Sequence, residues 1–114
     1  MATNFKNVLK SGLGTVESTI LTTGANAKTT IIGLSLSNLT SGIVLANIKL
    51  TDPTGNAGSP VTAYFVKEII IPPNQSLRIV NGGEKLVLGP STTIKMSANF
   101  DDSLDLVMSY VEIV

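Results

Sequence analysis

The chain contains no cysteine and no histidine. Without cysteine there are no disulfides, no thiolate nucleophile and no soft metal ligand, and the redox compartment is left open. Without histidine the residue best suited to general base work near neutral pH is gone, together with the commonest zinc ligand. Tryptophan is absent too, and two Tyr and three Phe are the only aromatic rings. That is too few to line a sugar cleft for paired-carboxylate glycosidase chemistry. Charge is scarce: 14% of the 114 residues are charged, against about 25% in ordinary soluble domains. Eight Lys/Arg balance eight Asp/Glu, which gives no bulk attraction to nucleic acid or to an anionic membrane. The basic residues stand singly and form no groove-like cluster. Residues 1–14 lack the apolar core of a signal peptide, and no run approaches the length of a membrane span, so neither is expected.

What is present is a surface built from uncharged polar residues, since Thr, Ser and Asn supply 33 positions. Such a composition fits a strand-rich chain, and it equally fits a domain that hides much of its surface in an assembly. The organising stretch is residues 30–50, TIIGLSLSNLTSGIVLANIKL. Ile32, Leu34 and Leu36 alternate with small polar residues. After the break Asn38-Leu39-Thr40-Ser41-Gly42, the residues Val44, Ala46, Ile48 and Leu50 alternate with Leu45, Asn47 and Lys49. Period two predicts two neighbouring strands joined by a short turn, each with one apolar face that needs a partner sheet.

The same reading extends along the chain. Phe5, Val8 and Leu9 have helical spacing, but residues 1–14 are short and end at Gly12 and Gly14, so they are expected as an extended arm or short first strand. Residues 15–114 are expected to form the sandwich domain. Further strands are predicted at residues 15–22, 61–71, 76–80, 84–88, 92–99 and 104–114. Turns are predicted at Gly24-Ala25-Asn26-Ala27, at the loop 52–60, at Pro72-Pro73-Asn74-Gln75, at Asn81-Gly82-Gly83 and at Phe100-Asp101-Asp102-Ser103. Within residues 61–71, Tyr64, Val66, Glu68 and Ile70 are assigned to one face, and Phe65, Lys67, Ile69 and Ile71 to the other. Seven to nine strands spaced by Gly, Pro and Asn turns predict an all-β antiparallel sandwich of immunoglobulin-like or jelly-roll topology. The predicted core is Ile32, Leu34, Leu36, Val44, Ala46, Ile48, Leu77, Ile79, Ile94, Met96, Leu106 and Met108.

No catalytic constellation emerges. Asp101, Asp102 and Asp105, with Glu84 and Asp52 as further candidates, could supply part of a calcium shell, but they lack the alternating register of a dedicated loop, and a solvated turn explains them. Gly82-Gly83-Glu84-Lys85 lacks the spacing of a phosphate loop. The serines have no evident activating base. The sequons at Asn38 and Asn74 are chance matches in a Thr/Ser-rich chain. No enzyme activity, cofactor or metal is therefore expected. The candidate functional surface is apolar instead: Phe5, Val8 and Leu9 of the arm, Tyr64, Phe65, Ile69 and Ile71 of the fifth strand, and Val107, Val111 and Ile113 of the last.

Over nearly its whole length the chain resembles a group of small virion structural proteins of tailed bacteriophages, particularly phages of aquatic bacteria. The segments carrying the likeness are FKNVLKSGLGT, IIGLSLSNLTSG, IKLTD, AYFVKEIIIPPNQSL, GGEKLVLGPSTTIKMSA and VMSYVEI. Pro90-Ser91 replaces the Gly-Asp turn common in that group. The resemblance implies a β-sandwich placed on a capsid, neck or tail, with no catalytic residues to transfer. The expected role is a capsid decoration or cement protein in the virion, assembled in the host cytoplasm. Its expected partners are the major capsid protein or other virion proteins and further copies of itself, with no nucleic acid and no membrane. A neck or tail fibre-adaptor protein and a small carbohydrate-binding sandwich are the alternatives.

Overall fold

Alternation and turn residues resolve into nine strands in the computed structural model, which describes residues 2–54, 59–80 and 84–114. They are β1 (Thr3–Leu13), β2 (Ser18–Thr22), β3 (Lys28–Asn38), β4 (Val44–Asp52), β5 (Val61–Ile71), β6 (Ser76–Val80), β7 (Leu86–Leu88), β8 (Thr93–Ala98) and β9 (Leu104–Ile113). The predicted turn at 81–83 and the centre of the loop 52–60, residues 55–58, lie outside the described residues.

Two antiparallel sheets form. One has the order β1-β9-β3-β6, with β7 also on β3, and the other has the order β2-β8-β4-β5. Strands β6 and β7 pair with successive halves of β3, at residues 34–37 and 29–31, and so occupy one edge position together. The pairs β1–β9, β2–β8, β3–β6/β7 and β4–β5 are then nested like one long hairpin whose tip is the β4–β5 connection. Rolling that hairpin up adds the pairs β3–β9 and β4–β8. This is a jelly roll, the second of the two predicted topologies.

The rolling corrects the reading of residues 30–50. β3 and β4 are not neighbours in one sheet; they belong to opposite sheets, and their apolar faces meet across the core. The connection cannot be a tight hairpin because it must cross the sandwich, and the buried Asn38 holds it there. Its side-chain amide donates to the carbonyls of Gly42 (2.8 Å), Ile71 (3.0 Å) and Pro72 (3.1 Å), while its Oδ1 accepts from the Thr40 N–H and hydroxyl, both at 2.8 Å. With its amide committed in this way, Asn38 is a structural residue and not a glycan acceptor.

Two further corrections have one cause, the β-bulge, which shifts the side-chain phase by one residue. In β3 the register with β9 slips between Ile31 and Gly33. Ile31 is therefore fully buried, while Ile32, predicted for the core, is only partly buried. In β5 the register with β4 slips on both sides of Ile48. Glu68 takes a left-handed φ of 51° at one slip, and its N–H is caught by Asn47 Oδ1 at 2.8 Å. Val66 and Ile69 consequently lie opposite the buried Ile48 and Ala46 and face the core along with Ile71, so the strict two-face assignment of residues 61–71 does not hold. Of the other predicted core residues, Leu77 and Ile79 are partly buried against the core and the remaining nine are buried; Ile31, Ile71 and Leu104 join them.

Candidate assembly surface

The outer face of the β1-β9-β3-β6 sheet carries the largest group of predicted surface residues. Side chains opposite one another in register share a face. Phe5 lies opposite Val111, Leu9 opposite Val107, and Thr3 opposite Ile113. Phe5 is 79% exposed, Leu9 66% and Val107 48%, whereas Leu104, Leu106, Met108 and Tyr110 of the same strand alternate inward and are buried. The displaced Ile32 joins this outer face, where it lines a shallow recess with Phe5, Asn7 and Ser109. Sequence reading placed Ile32 in the core because period two cannot announce a bulge. Exposed apolar side chains gathered on one face are unusual for a monomer and mark contact surfaces.

Residues 3–13, expected as an arm or short strand, form an eleven-residue strand along the edge of this sheet. Its register with β9 is unbroken from Thr3↔Ile113 to Lys10↔Leu106. Lys6 Nζ bonds Glu112 Oε1 at 3.0 Å, and that hydrogen bond together with the carboxylate's charge holds the Lys6 ammonium above the usual lysine range.

The other predicted surface residues fall elsewhere. Val8 lies opposite the buried Met108 and packs on the core. Ile69 and Phe65 are partly buried against the core, and Ile71, at 0% exposure, has no surface to offer and leaves the set. Tyr64 is exposed on the opposite sheet, where the ammonium groups of Lys49 and Lys67 lie over its ring, 5.3 and 5.1 Å from the centroid.

The carboxylates of the β8–β9 turn and of the start of β9 are tied to backbone and hydroxyl donors at the end of β1 and in the β1–β2 corner. Asp101 Oδ1 accepts from the Thr15 hydroxyl (2.7 Å) and N–H (3.0 Å), and Asp105 Oδ1 accepts from the Ser11 hydroxyl (2.9 Å) and Gly12 N–H (3.1 Å). The Thr15 hydroxyl, then its N–H, hold the Asp101 carboxyl below the usual carboxylate range. These bonds stitch the β1–β2 corner to the β8–β9 turn. Asp52 is committed to its own turn through the N–H and hydroxyl of Thr54, at 3.2 and 3.0 Å. Among the described residues no three of His, Cys, Asp and Glu converge as metal ligands.

Fold and surface together define a jelly-roll unit with an apolar outer face on the β1-β9-β3-β6 sheet. No protein-family model matches the chain, and no curated protein matches it in sequence. In structure it is similar, over 96% of its length, to a chain in the crystal structure of the T13 viral particle of IBDV, with a TM-score of 0.54 and 10% sequence identity. A structure of infectious bursal disease virus, Gt strain, matches the same share at a TM-score of 0.49 and 10% identity. The chain spans 30% and 32% of the lengths of those two chains. At that identity the likeness is one of fold.

Proposed function

We propose that this chain is a non-enzymatic structural protein of a virion, and specifically a decoration or cement protein that binds repeated copies of a shell protein on the head of a tailed phage. The observation that carries the reading is the apolar row on the outer face of the β1-β9-β3-β6 sheet, with Phe5 and Leu9 largely exposed and Val107 about half exposed. A flat face of this kind suits a broad contact with another protein better than it suits a small molecule, which needs a concave site. Low charge and a jelly-roll fold akin to that of a virus-particle chain support the same reading. A modest contact repeated over a closed lattice holds firmly although one copy alone would dissociate.

A neck or tail component would use the same face at fewer sites. The carbohydrate-binding alternative loses support near the 52–60 loop, because the Tyr64 ring is taken up by two ammonium groups and Phe65 packs on the core, so neither of the rings close to that loop is free to stack against a sugar. The face is tested by adding purified protein back to particles that lack it. Val107→Asp and Val111→Asp, both outward on the central strand β9, should keep the fold and lose at least about 1.4 kcal/mol of binding each, a tenfold effect. Full binding by both variants would remove this face from the contact.

A further inference from the structure

We propose that β1 pairs edge to edge, antiparallel and about a two-fold axis at Asn7, with β1 of a second copy, joining two sheets into one continuous sheet. The inference concerns the protein in solution and does not rest on the virion reading.

Edge strands are ordinarily protected, and the other edges here are. β2 has five residues and a register slip, β5 is bent by two slips, and the β6/β7 edge consists of strands of five and three residues. Only β1, among the described edges, offers a long regular seam. Ala2 and Val114 exchange both backbone hydrogen bonds, at 2.7 and 2.9 Å. From that pair the antiparallel alternation turns the even-numbered residues of β1 toward β9. The N–H and C=O groups of Thr3, Phe5, Asn7 and Leu9 therefore face the open edge, and the side chains of the same residues lie on the outer face.

Charge selects the register. An axis at Lys6 sets Lys6 against Lys6, and an axis at Val8 sets Lys6 against Lys10; both oppose like charges across the seam. An axis at Phe5 or Leu9 shortens the seam. An axis at Asn7 pairs residues 3–11 in full, sets Lys6 against Val8 and Lys10 against Asn4, and places Phe5 against Leu9 twice. The exposed row Val111, Phe5 then continues through Leu9 and Val107 of the second copy, doubling the apolar face. The seam is about 30 Å long but one strand wide, at the small end of specific interfaces, so the dimer should be weak and concentration-dependent.

Sedimentation equilibrium between roughly 1 µM and 1 mM should show a monomer–dimer equilibrium. Asn7→Pro should weaken it at least tenfold with little change in melting temperature, because the lost N–H faces the edge. The absence of native cysteine permits a register test with single Cys variants at positions 5, 7 and 9 under mild oxidation. Residues paired across the axis sit about 5.5 Å apart at Cα, within disulfide range, so Asn7→Cys should cross-link fastest. A chain that stays monomeric at 1 mM by the same measurement, a dimer indifferent to Asn7→Pro, or faster cross-linking at position 5 or 9 would each overturn the proposal. A monomer whose β1 amides become protected only on binding shell protein would assign the edge to a foreign strand and overturn it likewise.

Discussion

Replacing Asn38 by alanine should be among the costliest single changes outside the apolar core. Asn38 is 4% exposed, and its side chain makes five hydrogen bonds, three that shape the β3–β4 crossover at Thr40 and Gly42 and two that fasten it to the end of β5. Truncation deserts the buried carbonyl of Ile71, which costs about 1–3 kcal/mol. The two partly buried carbonyls of Gly42 and Pro72, and the lost bonds to Thr40, add about 1–2 kcal/mol together. The total is about 3 kcal/mol, or about 12 °C in melting temperature for a domain of this size. Asn38→Asp keeps the acceptor for Thr40 but aims a charge at three carbonyls, so at pH 7 it should cost at least as much as alanine. Urea and thermal unfolding followed by circular dichroism measure both. A loss under about 1 kcal/mol for Asn38→Ala would refute the claim that this amide pins the crossover.

Other consequences can be checked in the same way. Leu34→Ala should cost about 2–4 kcal/mol and Ile32→Ala clearly less; equal losses would mean that the β3 bulge is misplaced. A Cβ at Gly14 would sit 2.7 Å from the Asp101 Cα, whereas one at Gly33 meets nothing within 4 Å, so Gly14→Ala should lower the midpoint and Gly33→Ala should leave it nearly unchanged. The pKa of Asp101 is depressed in the folded state, so its contribution is present above the unfolded value near about 3.9 and fades as pH falls through the lower folded value. Thr15→Val should therefore flatten the acid-side fall in stability; an unchanged pH profile would separate Asp101 from that fall.

Strand positions were legible because Gly, Pro and Asn clusters punctuate regular alternation. The order of strands within sheets was not. β1 and β9 are paired across nearly the whole chain, and nothing in a period-two pattern says which strand meets which. The bulges at Ile31–Gly33 and around Ile48 hide for a related reason: the phase change needs an unpaired residue, and any residue can serve. Asn38 looked like part of a polar break because its burial depends on carbonyls more than thirty residues away, at Ile71 and Pro72. Of the apolar surface, Phe5, Leu9, Val107, Val111 and Ile113 were readable as outward-facing, since β1 and β9 pair without a slip from Thr3 to Lys10. Ile69 and Ile71 were not, because the slips in β5 turned their side inward.

The central claim, that this chain is a virion component spread over a shell, is met most directly by counting its copies in purified particles with quantitative mass spectrometry against the major capsid protein. Decoration predicts on the order of hundreds of copies, in a fixed ratio to the shell subunits. A count of about six to eighteen would place it in a ring at the neck or tail instead, and its absence from intact particles would contradict the structural role altogether.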